Sequence, residues 1–304
     1  MYIATVLTNP LHPKLDRATV EALRNAWGGG DATWLDPGIA AEFPIAAKPQ
    51  NLWEVWQSLQ TMGIDLLVQA EAGRKKRLLI ADMDSTMIQQ ECIDELADMA
   101  GVGAHVAAIT ARAMNGELDF ESALRERVGL LQGLSEAVIA EVIRDRITLM
   151  PGGRALVATM KANGAYAALV SGGFTAFTAA VAQMLGFDEN RANTLGISDS
   201  KLTGSVLWPI LGRAAKVQAL EEIAATLGIS VTAAMAVGDG ANDLGMLGAA
   251  GAGVARHAKP NVAAQCDLRV NHGDLTALLY MQGYRREEFI GETGDGAVPS
   301  PSLT

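Results

Sequence analysis

Leu78-Leu79-Ile80-Ala81-Asp82-Met83-Asp84-Ser85-Thr86 runs an apolar, strand-like segment straight into two carboxylates and a hydroxyl-bearing turn. On a strand, positions i and i+2 share a face. Asp82 and Asp84 are therefore expected to point the same way where the strand ends. Two close carboxylates repel unless a cation lies between them or one holds a proton, and either arrangement is chemistry. The plainer reading is a strand end whose aspartates cap the next turn. The rest of the chain decides between the two.

From Leu78 onward, strand signals over Leu78–Asp82, Ala165–Ser171, Ala233–Gly238, Gly251–Ala255 and Asp267–Val270 alternate with helical segments. That alternation predicts an α/β fold with a doubly wound, parallel, Rossmann-like sheet. Asp94–Met150 breaks it with an almost purely helical pattern, large enough for a helical cap inserted after the first strand. Ala192–Trp208 reads as a hairpin around Ser198-Asp199-Ser200-Lys201. Upstream, Tyr2–Leu7, Ala40–Ile45 and Ile64–Val68 are expected strands, with helices over Asp16–Trp27 and Leu52–Met62. That order is consistent with a small ACT-like or ferredoxin-like α/β unit over 1–72. Arg74-Lys75-Lys76-Arg77 then reads as a solvated linker. The remainder divides into a domain over 73–290, with its core at 78–93 and 151–285 and its cap at about 94–150. A Gly-, Pro- and Ser-rich tail over 291–304 is expected to be disordered.

Composition narrows the partners. A net charge of −10 argues against nucleic acid and anionic membranes. An anionic small substrate would then need a local cation. No window approaches 18 uncharged apolar residues, and the amino terminus lacks the build of a signal peptide. Cys92 and Cys266 have no metal or disulfide spacing, and they read as buried thiols of a cytoplasmic protein. The four histidines are scattered, which disfavours a histidine metal site or triad.

Ligand sites in open α/β sheets lie at the carboxyl ends of the strands. Besides Asp82-x-Asp84, two more strand ends carry reactive groups. Leu169-Val170-Ser171-Gly172-Gly173 offers a hydroxyl and two closely approachable amides. Val237-Gly238-Asp239-Gly240-Ala241-Asn242-Asp243 brings two carboxylates and an amide. Between them, Lys216 sits on a helix expected to begin near Arg213.

In this order and spacing, the four elements resemble the motifs of the haloacid dehalogenase-like phosphohydrolase superfamily over about residues 78–270. The resemblance implies that Asp82 is a nucleophile forming an aspartyl-phosphate, and that Asp84 is the acid and then the base. It implies Mg2+ on the carboxylates of Asp82 and Asp239 and on the backbone carbonyl of Asp84. Ser171, the amides near Gly172 and the Lys216 ammonium would stabilise the phosphoryl oxygens. Asn242 and Asp243 would hold metal waters and Lys216.

Two further segments resemble the phosphoserine phosphatase family within that superfamily. Asp82–Glu91 is similar to its extended first motif, and Asp119–Val128 to its cap motif. By that similarity Glu91 would meet a substrate ammonium and Arg127 its carboxylate, while Phe120 and Met114 form an apolar wall. Arg125 and Arg127 sit two apart on a helix, so only one can face the site. The implied reaction is hydrolysis of O-phosphoserine, the last step of serine synthesis. The alternative is another small phosphomonoester, such as phosphothreonine, or phosphoryl transfer to an acceptor such as homoserine. A stabilising or linking role is expected for the amino-terminal unit, with serine binding or homodimerisation as the alternatives.

Overall fold

A computed structural model describes residues 1–114 and 117–291. The expected disordered tail lies, from residue 292, outside the described residues. The chain opens with β1 (Tyr2–Thr8), α1 (Arg17–Ala26), β2 (Thr33–Asp36), β3 (Ala40–Ile45), α2 (Leu52–Thr61) and β4 (Ile64–Ala70). The four strands pair antiparallel in the order β2-β3-β1-β4, the split βαβ arrangement of ferredoxin-like units. Asp16 starts α1 by accepting from the Thr19 amide at 2.7 Å. One face of the sheet, with Ala4, Val6 and Phe43, packs on Val20 and Leu59 of the two helices. The other face sends Leu7, Leu35 and Leu67 into the core of the larger part of the molecule. The short strand β2 has no expectation from sequence.

The larger part begins with β5 (Leu78–Ala81). Four helices follow: α3 (Cys92–Met99), α4 (Gly103–Met114), α5 (Phe120–Gly129) and α6 (Ala137–Asp145). Then come α7 (Gly153–Ala162), β6 (Tyr166–Phe174), α8 (Thr175–Leu185), β7 (Glu189–Ser198) and β8 (Lys201–Leu207). The chain continues through α9 (Arg213–Thr226), β9 (Ala234–Gly238), α10 (Leu244–Ala249), β10 (Ala252–Arg256), α11 (Pro260–Ala263), β11 (Leu268–Val270) and α12 (Ala277–Tyr280). Seven strands form one sheet in the order β11-β10-β9-β5-β6-β7-β8, parallel except for the β7–β8 pair. Both faces are covered, so β5 is apolar throughout: Leu79 and Ala81 join one core and Leu78 and Ile80 the other. The expected hairpin forms, but β7 starts earlier and first runs parallel to β6.

Strand order reverses at β5. The chain lays β6 on one side of it and later returns to lay β9 on the other. The carboxyl ends of β5, β6 and β9 are therefore neighbours, at the switch point where such sheets bind ligands. The helical excursion leaves and re-enters at one place: Ile88 bridges Leu149, the Gln89 amide donates to Thr148, and the Met150 amide donates to Met87.

The amino-terminal sheet is tied down chiefly by Asp65 of β4. Its fully buried carboxylate accepts the amides of Asn271, His272 and Gly273 at 2.8–2.9 Å, in the loop after β11. Tyr280 donates to Asp36, and Gln69 to the Met281 carbonyl. The basic tetrad is anchored rather than a solvated linker. Arg74 forks onto Glu42, Lys75 lies 4.1 Å above the Tyr284 ring, and the Lys76 amide donates to Gln282. A planar guanidinium matches a carboxylate wherever folding supplies one, which local sequence does not show. Among the described residues, no helix is long and apolar enough to cross a membrane.

Removing the Asp65 carboxylate strands three amides in a buried interface. Asp65→Ala should lower the free energy of unfolding by about 3 kcal/mol, read from urea denaturation. An unchanged midpoint would mean that water replaces the clamp at no cost.

Candidate active site

β5 ends at Ala81, one residue short of the expected strand, so the turn rather than the strand pleat aims the two aspartates. The Asp82 amide still donates to Val237 of β9. The amides of Thr86, Met87 and Ile88 then all converge on the Met83 carbonyl, and Ser85 takes a left-handed φ of +55°. That conformation is costly for a residue with a Cβ and gathers at functional sites. The tight turn separates the carboxylates, sending Asp82 toward β9 and α9 and Asp84 toward β6 and α3.

Asp82 Oδ1 lies 2.8 Å from the Lys216 ammonium and accepts the Met83 amide. Lys216, in the first turn of α9 and fully buried, also donates to Asp243 Oδ1 at 2.6 Å. Asp243 in turn accepts the Asp239 and Gly240 amides on its other oxygen. Burial alone would lower the Lys216 pKa, but Asp82 and Asp243 outweigh it and raise it. Burial and then Asp243 push the Asp82 pKa well above the ordinary carboxylate range. The same two causes raise Asp239 to about 6.

Oxygens of Asp82, Asp239 and Asp243 lie within 4.8 Å of one another, a group able to hold a metal ion. Both Asp243 oxygens are engaged by Lys216 and the amides. Asp239 Oδ1 accepts from Thr86. Among the described residues, Asp82 Oδ2 and Asp239 Oδ2 have no donor. Two hard carboxylate oxygens held open in one crevice suit a small hard cation. The Asp84 carboxylate is not one of the three.

Asp84 accepts the Cys92 amide on Oδ1. Its Oδ2 approaches Gly173 so closely that a Cβ there would lie 2.8 Å from it and 3.2 Å from Ser171 Oγ. Glycine at 173 thus lets the acid meet the end of β6. Burial, then Glu91, raise the Asp84 pKa to about 7. Ser171 is buried and takes the Gly173 amide on its hydroxyl.

The cap brings further expected residues over this crevice. Phe120, at the start of α5, packs on Gly172 and Gly212; a Cβ on either would sit 3.2–3.3 Å from the ring. Glu91 accepts from Ser85 at 2.7 Å. Arg127 is half-buried and donates to the Ala123 carbonyl, and burial lowers its pKa against the field of Asp94, Glu91 and Asp84. Arg125 turns the other way, paired with Glu121 and set over Trp208. Asn242 is partly buried beside Gly172, its Nδ2 3.9 Å from where a Cβ there would lie. Met114 closes α4, and its side chain lies outside the described residues. Cys92 and Cys266 are free and buried, and burial, then Asp84, raise the Cys92 thiol.

Sequence reasoning missed three supporting residues. Thr86 steadies Asp239 from inside the first motif, where its hydroxyl was visible but not its target. Asn193 of β7, fully buried, donates to the Gly172 and Leu211 carbonyls and accepts the Leu211 amide. It therefore joins the Ser171 turn to the start of the Lys216 helix. Arg256 ends β10 only 2% exposed, near Asp274, Asp239 and Asp65. Its Nε and Nη1 have no partner among the described residues, and burial lowers its pKa to about 10. Nothing local marks Asn193 or Arg256.

Comparison with known proteins bears on the same residues. The haloacid dehalogenase-like hydrolase family matches residues 79–248. A phosphoserine phosphatase of Streptomyces coelicolor is 47% identical over 97% of this chain and 75% of that protein. A haloacid dehalogenase family hydrolase from Salmonella enterica serovar Typhi superposes with a TM-score of 0.82 at 32% identity, covering 92% of this chain and 98% of that one. A probable phosphoserine phosphatase from Vibrio cholerae, in unliganded form, gives a TM-score of 0.75 at 34% identity, covering 94% and 87%.

The raised carboxylates make stability depend on pH in the metal-free protein. The folded values of about 7 for Asp84 and about 6 for Asp239 exceed the ordinary 3.8. Between those limits the folded state binds more protons than the unfolded one. Stability therefore falls as pH rises through the window, by at most about 1.4 kcal/mol per pH unit for each group. Urea midpoints in EDTA should fall between pH 5 and pH 7.5 (about the span of the two titrations), and Asp84→Asn should flatten the slope. His257, lowered by burial, works in the opposite sense, so the difference between the two proteins is the quantity to read. An identical slope in both would remove Asp84 as its source.

Proposed function

The chain belongs to the haloacid dehalogenase-like hydrolases, and we propose that it hydrolyses O-phosphoserine to serine and phosphate with Mg2+, through an aspartyl-phosphate on Asp82. One observation carries this reading: a buried lysine and a backbone amide fix one oxygen of Asp82, and the other stays open at the switch point. That oxygen attacks phosphorus as the bond from phosphorus to the serine oxygen breaks. Asp84, a carboxylic acid held near neutrality by burial and Glu91, gives its proton to the departing serine oxygen. The resulting carboxylate takes a proton from water as that water attacks phosphorus, which releases phosphate and frees Asp82. Asp82 and Asp239 would hold Mg2+ by their carboxylates, with the Asp84 backbone carbonyl as a third ligand. Bound there, the ion would offset the repulsion between carboxylate and phosphate and favour the ionised form of Asp82.

Ser171, the Gly172 amide and Lys216 bind the phosphoryl oxygens, with Asn242 beside them. Glu91 takes the substrate ammonium and Arg127 its carboxylate, while Phe120 excludes water. This division accounts for a half-buried arginine in the field of three acids at the mouth of an otherwise anionic crevice. The names of the Streptomyces and Vibrio relatives support the same substrate. On this reading the protein is a cytoplasmic enzyme completing serine synthesis, and phosphothreonine or an acceptor alcohol would be a poorer match.

Asp82→Asn should lower turnover of phosphoserine at least about 10³-fold, and EDTA should abolish it reversibly in the unaltered protein. Full activity in either case would exclude the mechanism. Arg127→Ala should raise KM for phosphoserine about 100-fold and leave KM for phosphoethanolamine, which lacks the carboxylate, nearly unchanged. Equal losses on both substrates would take carboxylate recognition away from Arg127.

A further inference from the structure

A cleft of about 690 Å³ lies between the amino-terminal sheet and the outer side of α10. It is not the crevice that holds Asp82. Its walls come from the end of β4, the tetrad segment, α10, and the amino ends of β10 and β11, at the end of those parallel strands away from that crevice. Four cationic side chains line it: Lys48, Arg74, Lys76 and Arg213. Two are neutralised, Lys48 by Asp267 and Arg74 by Glu42. Among the described residues, Lys76 and Arg213 have no carboxylate partner. Lys76 spends one ammonium proton on the Thr232 carbonyl and keeps two. Its pKa is lowered by burial alone, with no anion acting against it.

Lys76 and Arg213 thus line one cleft without an anion to compensate them, and like charges gathered without an anion repel. Tyr2, Val68, Leu244 and Leu247 add apolar surface between them. A site that pairs a few convergent charges with an apolar wall selects a small organic ligand. We propose that this cleft binds an organic dianion, a phosphomonoester or a dicarboxylate, through Lys76 and Arg213.

The test is calorimetry on the whole chain in EDTA, titrating adenosine monophosphate, succinate and inorganic phosphate, with neutral adenosine as the control. At least one organic dianion should bind and adenosine should not, and which dianion binds tells phosphate from carboxylate chemistry. Lys76→Met and Arg213→Met should each weaken binding about tenfold or more, and Arg127→Met should leave it intact. Both altered side chains reach solvent, and thermal melts check that the fold is kept. The proposal fails if no dianion binds at millimolar concentration or if binding survives both substitutions. It also fails if affinity is lost in Arg127→Met instead, which moves the ligand to the catalytic crevice. No turnover is measured, so failure here leaves the phosphatase reading untouched.

Discussion

The ammonium of Lys216 is the contact on which the centre of this molecule depends. It is fully buried between Asp82 and Asp243, and a third carboxylate, Asp239, stands in the same cluster. Bringing those acids together at the ends of β5 and β9 without a cation would cost more than a marginally stable fold can spare. The lysine lies in the first turn of α9, whose Ala219, Leu220 and Ile223 pack against the sheet. Packing of that helix, pairing of the two strands and the electrostatics of the crevice are thus one requirement. A chain that satisfies it has also built an anion-binding hollow with two carboxylate oxygens left open.

Topology explains why so much of the site was legible. Three of the four motifs sit where an apolar strand gives way to a polar turn, a junction that periodicity alone locates. Because β5 is laid down first and flanked later by β6 and β9, three junctions far apart in sequence become neighbours. The less legible residues act across those gaps. Asn193 lies in a strand read only as part of a hairpin, yet it stitches Gly172 to Leu211. Arg256 looks like a polar strand end until the sheet buries it. β2, at four residues, is too short for periodicity to declare, and its Leu35 gains meaning only against the larger core.

The cap shows the same limit at the level of one helix. Arg125 and Arg127 are about 200° apart around α5, so helix geometry establishes that they diverge, and only the family resemblance pointed to Arg127 as the inward one. Contacts decide it: Trp208 and, one turn back on the same helix, Glu121 hold Arg125 outside, while Arg127 sits in the field of Asp84, Glu91 and Asp94. Phe120 presses on Gly172 and Gly212 together. One aromatic ring therefore seats the cap on both the Ser171 turn and the approach to Lys216.

The Asp65 clamp has a consequence for how motion in this protein can be seen. Residues 271–273 lie in a loop beyond the last strand of the large sheet, where amides ordinarily exchange with solvent within moments. Here a buried carboxylate from the other sheet covers all three. Their exchange with deuterium is therefore slaved to separation of the two sheets, not to loop mobility. Those three amides are a built-in clock for the opening of the molecule at its internal seam.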